Sequence, residues 1–142
     1  MSNLLPNVKI DLLTAATAAG TTTITSGIVD MAGWDGVIFV TTIQTPAANN
    51  IAKLQQGEAS NLSDAADLAG SAQTSGTSDE GIILGVHRPL ERYVRMSIAR
   101  GTSTPLGEIW AIRYNGRTAP QTNSLSGTQA AKHLVSPTEG TA

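Results

Sequence analysis

The residues that could perform acid–base or metal chemistry are few and scattered along this sequence. Histidine occurs only as His87 and His133, and neither has a metal-ligand spacing such as His-x-x-x-His. We expect His87, which precedes Arg88-Pro89, to lie in a turn. The chain has no cysteine, which excludes disulfides, thiol nucleophiles and cysteine metal sites.

Two carboxylates could share one face of a short helical turn. Asp64 and Asp67 are three positions apart, and the turn would be capped by Asn61 or Ser63 and end at Gly70. If this turn forms, we expect both carboxylates to be solvated, since acids at a helix start are far more common than metal sites.

The other candidate sites are weaker still. Asp79-Glu80 lies in a Gly/Ser-rich loop that could bind calcium weakly, but the loop lacks the alternating ligands of an EF-hand. The sequence contains no P-loop, Gly-x-Ser-x-Gly elbow or Gly-x-Gly-x-x-Gly motif. We therefore expect no enzyme activity, no cofactor and no metal.

Arginine is the one residue type with a chemically functional side chain that is clustered in the sequence. The segment "RPLERYVRMSIAR" (88 to 100) contains four arginines in thirteen positions. Between Arg88 and Arg117, six arginines accompany two carboxylates, Glu91 and Glu108, in a chain whose net charge is −2. Positive charge is therefore unevenly placed along the chain.

Three interpretations of the arginines are open. In the first they form a solvated face and pair locally with Glu91 and Glu108. In the second they dock a protein, because the planar guanidinium matches acidic groups. In the third they contact phosphate, but single-strand binding normally requires stacking aromatics, and the few aromatic residues here are expected in the core.

The alternation of side chains predicts which faces the arginines occupy. In a strand over 92–99, the aliphatic side chains point one way and Arg95 the other. In a strand over 109–114, we expect Trp110 on the core face and Arg113 on the outward face of a neighbouring strand. The candidate partner-binding residues are Trp34, Arg88, Arg92, Arg95, Arg113 and Arg117.

The elements that carry these residues read as short strands. Charged residues make up 14% and aromatics 4%, so the core must be aliphatic and the surface rich in Thr, Ser, Asn and Gly. Runs such as "VIFVTTI" (37 to 43), apolar on both faces at its start, predict a strand lying centrally between two sheets. We predict an all-β fold, either a β-sandwich or a jelly roll, with at most one short helical turn.

The chain is predicted to form one domain with an arm at each end. Residues 1–7 are the N-terminal arm, residues 8–117 the β-sandwich domain, and residues 118–142 a C-terminal arm that is flexible or ordered by a partner. We expect no secretory signal and no membrane span, because no apolar run approaches the required length.

Four segments in order carry a resemblance: "GWDGVIFVTTI", "IAKLQQGEASNLSDAADLAGSAQT", "IILGVHRPLERYVRMSIARG" and "EIWAIRYNGR". Over residues 33 to about 117 the chain resembles the capsid decoration, or cement, proteins of tailed bacteriophages. The most telling pieces are "RPLERYVR" and the hairpin that ends in "AIRYNGR". They are patterns of a core and its hairpin rather than a catalytic signature.

The resemblance implies a function without turnover. Such a protein binds the outside of the capsid as a dimer or trimer and stabilises contacts between major capsid protein subunits. Its partners would be the major capsid protein and itself, with no direct nucleic acid and no membrane. It would be made in the host cytoplasm and reside in the virion. Two alternatives stay open: a head–tail neck or tail adaptor ring, and a carbohydrate-binding or adhesive β-sandwich that uses Trp34.

Overall fold

The computed structural model describes residues 3–136 and 138–141. Within these residues, regular structure consists of twelve strands and one 3-10 turn, Leu5–Asn7. No helix among them is long and apolar enough to cross a membrane. The strands are β1 (Lys9–Thr14), β2 (Thr17–Gly20), β3 (Ile24–Thr25), β4 (Val29–Asp30), β5 (Gly36–Thr42), β6 (Asn50–Gly57), β7 (Ala66–Asp67), β8 (Gln73–Thr74), β9 (Gly81–His87), β10 (Tyr93–Arg100), β11 (Thr104–Leu106) and β12 (Ile109–Tyr114).

The strands form two main antiparallel sheets. The first sheet has the order β1-β12-β5-β9. In the second sheet, β10 and β6 are central; β3 and β4 pair with successive parts of β10, and β7 and β8 with successive parts of β6. Strands β2 and β11 form a separate two-stranded sheet. With β3 and β4 counted as one interrupted strand, and β7 and β8 as another, the two main sheets contain eight principal strands in jelly-roll order. The all-β prediction is confirmed, and of the two predicted architectures the jelly roll describes the strand order.

The core lies between the two sheets and is aliphatic, with one phenylalanine. Phe39 of the first sheet is fully buried, as are Val94, Met96 and Ile98 of the second. These last three are the residues that alternation on 92–99 predicts to point together, so that prediction is confirmed. The low aromatic content is consistent with this core, because branched aliphatic side chains pack well on a pleated surface.

The predicted orientation of the last strand is wrong. Ile109 and Ala111 are 1% and 0% exposed and face the core, whereas Trp110 is on the opposite face of β12 and only partly buried. Strands β10 and β12 also belong to different sheets, so Arg95 and Arg113 are not on neighbouring strands. Alternation could not fix the orientation because both faces of "IWAIRY" carry large apolar residues, and a shift of one residue exchanges the faces.

The predicted helical turn over 61–70 does not form. This segment consists of turns followed by the short strand β7, and Leu62 is buried with a positive φ of 51°. The carboxylate of Asp64 accepts hydrogen bonds from the main-chain N–H groups of Glu58 and Ala59. The acid therefore closes a tight turn back to the end of β6 instead of standing on a helix.

Part of the predicted C-terminal arm contacts the outer edge of β1. The Gln129 side-chain amide exchanges two hydrogen bonds with this edge, accepting from Leu12 N–H and donating to Ile10 C=O. Asn123 is 5% exposed; it accepts from Ile10 N–H and donates to Val8 C=O. The segment around 121–129 thus takes the place of a neighbouring strand.

The N-terminal segment joins this contact. Gln121 N–H donates to Pro6 C=O over 2.7 Å, and Asn123 donates to Leu5 C=O over 3.0 Å. Residues 1, 2, 137 and 142 of the two predicted arms lie outside the described residues. The boundaries at 7/8 and 117/118 stay predictions.

Candidate interaction surface

Four of the six predicted partner-binding residues contact one segment, residues 30–35, which runs from the end of β4 to the start of β5, and a fifth, Trp34, is part of this segment. Arg92 makes a two-pronged ion pair with Asp30, in which Nε and Nη2 each donate over 2.9 Å. Both side chains are largely exposed, so the pair contributes little stability despite its good geometry. The Arg92 guanidinium holds the pKa of Asp30 below its usual value.

Arg113 connects the two sheets beside the same segment. Its Nη2 donates over 2.8 Å to Asp11 on β1, and its Nη1 over 2.9 Å to the main-chain oxygen of Asp30 on β4. The guanidinium also lies 5.2 Å from the centre of the Trp34 ring, within cation–π distance. Only 18% of the Arg113 side chain is exposed, so it is a strut between sheets and not the outward-facing group we predicted.

Arg117 and Arg88 bind the other end of the segment. Arg117 Nη1 donates to the Asp35 carboxylate over 2.8 Å, and this contact lowers the Asp35 pKa. Its main-chain N–H donates to Gly33 C=O. Arg88 donates its main-chain N–H to Asp35 C=O, and its side chain is exposed beyond the end of β9.

The two remaining arginines lie elsewhere. Arg95, on the outer face of the second sheet, donates to Gln55 over 2.9 Å on the neighbouring strand β6. Arg100 is 5% exposed and donates to the main-chain oxygens of Ala18, Thr22 and Thr104. It fastens the β2 and β11 segments together, a structural role that its position in the sequence did not suggest.

The positive excess seen in the sequence is therefore mostly neutralised in space. In the described residues, Arg92, Arg113 and Arg117 pair with aspartates that lie 62 to 102 positions earlier in the chain. The local pairing with Glu91 and Glu108 that we considered is not among these ion pairs. A partner-binding role for any of the six residues stays a prediction.

Trp34 is a poor platform for a flat ligand. Its ring packs against the core cluster, with Arg113 over one face. A Cβ placed on Gly116 would lie 2.7 Å from the ring, so the glycine allows the close approach of the turn after β12. Through these contacts, the Trp34 ring covers part of the hydrophobic core.

The other residues considered for chemistry are dispersed. His87 is the last residue of β9 and not part of a turn; its ring stacks with Tyr114, with centroids 5.9 Å apart. Asp67 binds Lys53 and Gln55, and Asp79 accepts from Gly76 N–H. Among the residues that the structure describes, no group of three or more His, Asp or Glu side chains could hold a metal ion.

The outer face of the first sheet is apolar, which we did not predict. Strand pairing places Leu12, Trp110, Val40 and Ile83 side by side in one row across four strands. The adjoining row runs through Ile10, Ile112, Ile38 and Gly85. We call these two rows the apolar face: Ile10, Leu12, Ile38, Val40, Ile83, Gly85, Trp110 and Ile112.

The surroundings of the apolar face define its accessible part. At the β1 side, residues 129–132 lie beside Ile10 and Trp110. At one end, the Tyr114 ring crosses Gly36 so closely that a Cβ there would be 2.1 Å from it. Towards β9 the face opens, and Ile83 is 69% exposed. Ile83 and Gly85 are exposed, and the other six residues of the face are partly buried. Exposed apolar side chains next to such a row make this end of the face a candidate interaction surface.

The sequence did contain the signal for this face. The "VIFV" run is apolar at both parities, and we attributed this to a strand enclosed between two sheets. β5 is indeed central, but within its own sheet, between β12 and β9. One of its faces meets the core and the other is the outer face that carries Ile38 and Val40.

Comparison with known proteins assigns no family. No family model matches the chain, and no curated protein matches its sequence. Among solved structures, the SPBc2 prophage-derived protein YomS is similar, with a TM-score of 0.49 and 6% identity over 80% of this chain and 97% of that one. That neighbour is a prophage-derived protein, and a similarity at this level carries no argument about the function of this chain.

Proposed function

We propose that the protein is a structural component of a tailed-phage particle, which binds the outside of the capsid and stabilises contacts between major capsid protein subunits. The apolar face of the first sheet is the observation that carries the proposal. Trp110, Val40 and Ile83 lie in one row of this face, and Ile83, at its β9 end, is 69% exposed. The resemblance of residues 33 to about 117 to decoration proteins directs the choice of partner.

The character of the surface supports a permanent docking role. Interface centres are enriched in aromatic and aliphatic residues and depleted in charge, which describes the apolar face. Trp110 lies near its middle and is the anchor on which we expect binding to depend most.

The proposed role involves no catalysis, cofactor or nucleic acid. The protein would be made in the host cytoplasm and would act in the virion through many identical contacts. Weak individual contacts are sufficient for this role, since repetition over the shell raises the overall strength of binding.

Two alternatives make different use of the same surfaces. A neck or tail adaptor ring would also bury the apolar face, but against a small number of identical neighbours. An adhesive module would require a stacking surface, and the contacts of Trp34 with Arg113 and Gly116 leave little of that ring available. If the chain binds a glycan, Trp34→Ala should leave that binding unchanged. The substitution should instead lower the free energy of unfolding.

The test compares two arginine substitutions of aliphatic residues on opposite sheets. Val40→Arg places a charge in the middle of the apolar face, and Ile51→Arg places one on β6, in the second sheet, where Ile51 is 41% exposed. Binding to expanded capsids that lack the protein would be measured by co-sedimentation, after circular dichroism has shown both variants to be folded. We expect Val40→Arg to abolish co-sedimentation and Ile51→Arg to retain it. Equal binding by both would refute the role of the apolar face.

A further inference from the structure

The two edge strands of the first sheet differ in whether other parts of the chain cover their main-chain groups. The β1 edge is covered by the amide side chains of Asn123 and Gln129, which satisfy its main-chain groups. At the other edge, β9 pairs with β5 alone within the described chain. Exposed sheet edges attract other strands, and proteins normally protect them with charges, proline or a covering segment.

β9 carries none of these protections along its length. Its sequence, "GIILGVH" (81 to 87), has no charged residue and no proline. Alternate residues are exposed: Gly81, Ile83, Gly85 and His87. The flanks are charged, with Glu80 directly before the strand and Arg88 directly after it.

The unpaired main-chain groups of β9 can be identified from its neighbours. Glu80 C=O accepts from Ile43 N–H, and Arg88 N–H donates to Asp35 C=O, both on the β5 side. Main-chain groups alternate in direction along a strand, so the even-numbered residues of β9 face β5. The N–H and C=O groups of residues 81, 83, 85 and 87 therefore point away from the sheet.

We propose that β9 is the interface for a second copy of this chain, paired antiparallel about a two-fold axis at Leu84. Two requirements select this register. A residue whose side chain faces the core must lie opposite another such residue of the second copy. This requirement excludes any register that is shifted by one residue. The longest overlap then places Gly81 opposite His87, and Ile83 opposite Gly85, of the other copy. The four residues of each strand whose main-chain groups point away from β5 thereby exchange hydrogen bonds with the second copy.

Charge complementarity supports the same register. With the axis at Leu84, Glu80 of each copy lies opposite Arg88 of the other, which gives two ion pairs by symmetry. Both side chains are exposed, and neither forms an ion pair in the described residues. A shift of the register by two residues in either direction loses both ion pairs and shortens the ladder.

Side-chain shape is complementary as well. Ile83, which is 69% exposed, would lie beside Gly85 of the second copy, where there is no side chain to oppose it. The space above Gly85 borders Ile38, whose Cγ1 is 3.5 Å from the position of a Cβ on that glycine. Ile83 would therefore fill this space and contact Ile38. The result is one eight-stranded sheet whose apolar face is continuous across the axis.

This inference does not depend on the proposed function, because it concerns only contacts between copies. A two-fold interface is self-complementary and closes at two subunits, so it predicts a dimer and no larger ring. Failure of capsid binding with an intact dimer would refute the proposed function alone, and a monomer that binds capsids would refute the dimer alone.

The first experiment is charge reversal, followed by sedimentation velocity over a range of protein concentrations. We expect the wild-type chain of 14.7 kDa to sediment as a dimer. Glu80→Arg and Arg88→Glu should each weaken the dimer by about tenfold, since each turns two exposed ion pairs into repulsions. The double variant should restore the wild-type dimer. Glu58→Arg, at an exposed residue that follows β6 in the second sheet, is the control with the same change in net charge as Glu80→Arg.

The second experiment tests the main-chain contact. Gly85→Pro removes an N–H that points away from β5, so the monomer should keep its fold, as judged by circular dichroism and a cooperative urea transition. The dimer should be lost, because the ladder is interrupted at two symmetric positions. A monomeric wild-type chain, a trimer, or a dimer that survives both Gly85→Pro and charge reversal would overturn the proposal.

Discussion

The orientation of β12 leads to an unusual prediction about two adjacent residues. Ile109 is 1% exposed and belongs to the core cluster, whereas the Trp110 ring is outside, on the apolar face. Truncation of a buried Ile to Ala costs about 2–5 kcal/mol, since it loses transfer free energy and leaves a cavity. Trp110→Ala leaves no internal cavity and exposes only part of an apolar surface, for which about 1–2 kcal/mol is expected. The smaller residue should therefore be the more important one for stability.

Urea denaturation followed by circular dichroism measures this difference directly. The dependence on urea should be unchanged in both variants, so a shift of the midpoint reports the change in the free energy of unfolding. Capsid binding should show the opposite order: Ile109→Ala should bind like wild type wherever it is folded, and Trp110→Ala should bind weakly. If Trp110→Ala were the more destabilising substitution, the ring would be in the core and the apolar face would not exist as described.

Three further predictions concern contacts that the sequence does not reveal. Arg100→Met should lower the free energy of unfolding by roughly 3 kcal/mol, because three main-chain oxygens lose a charged donor, and Arg100→Lys should recover part of this in the same urea assay. A wild-type midpoint for Arg100→Met would contradict this role. The pKa of Asp30 is lowered in the folded state, so its contribution to stability is present above the usual value of 3.8 and is lost as pH falls through the lowered pKa. Asp30→Asn should therefore reduce the loss of stability below about pH 4, which a pH series of urea midpoints would detect, and an unchanged slope would refute it. Asn123→Ala should speed amide hydrogen exchange at Ile10 on the β1 edge, with Ser124→Ala as the adjacent exposed control; equal exchange in the two variants would mean that Asn123 does not hold the edge.

Much of the fold was predictable because local alternation reports burial. Strands β5, β10 and β12 fall within two residues of the strands predicted over 37–43, 92–99 and 109–114. Val94, Met96 and Ile98 point into the core as their spacing indicates. The strand order was not predictable, since it depends on pairings such as Leu12 with Trp110 that join distant parts of the chain.

The candidate site was predictable only in part, for two physical reasons. The aspartates that neutralise Arg113 and Arg92 come from β1 and β4, and nothing local in the sequence links them. The apolar face was concealed because "VIFV" and "IWAIRY" are apolar at both parities, so alternation gave no information about which face meets the core. The arginines drew attention by composition, although burial and pairing make most of them structural.

The central proposal is that this protein is an abundant structural component of a tailed-phage particle and is bound to the capsid shell. The most direct test is to measure its copy number in purified phage particles by mass spectrometry, relative to the major capsid protein. The account predicts one copy per shell subunit or a simple fraction of that. About a dozen copies would place the protein in the neck or tail, and its absence from particles would contradict the account.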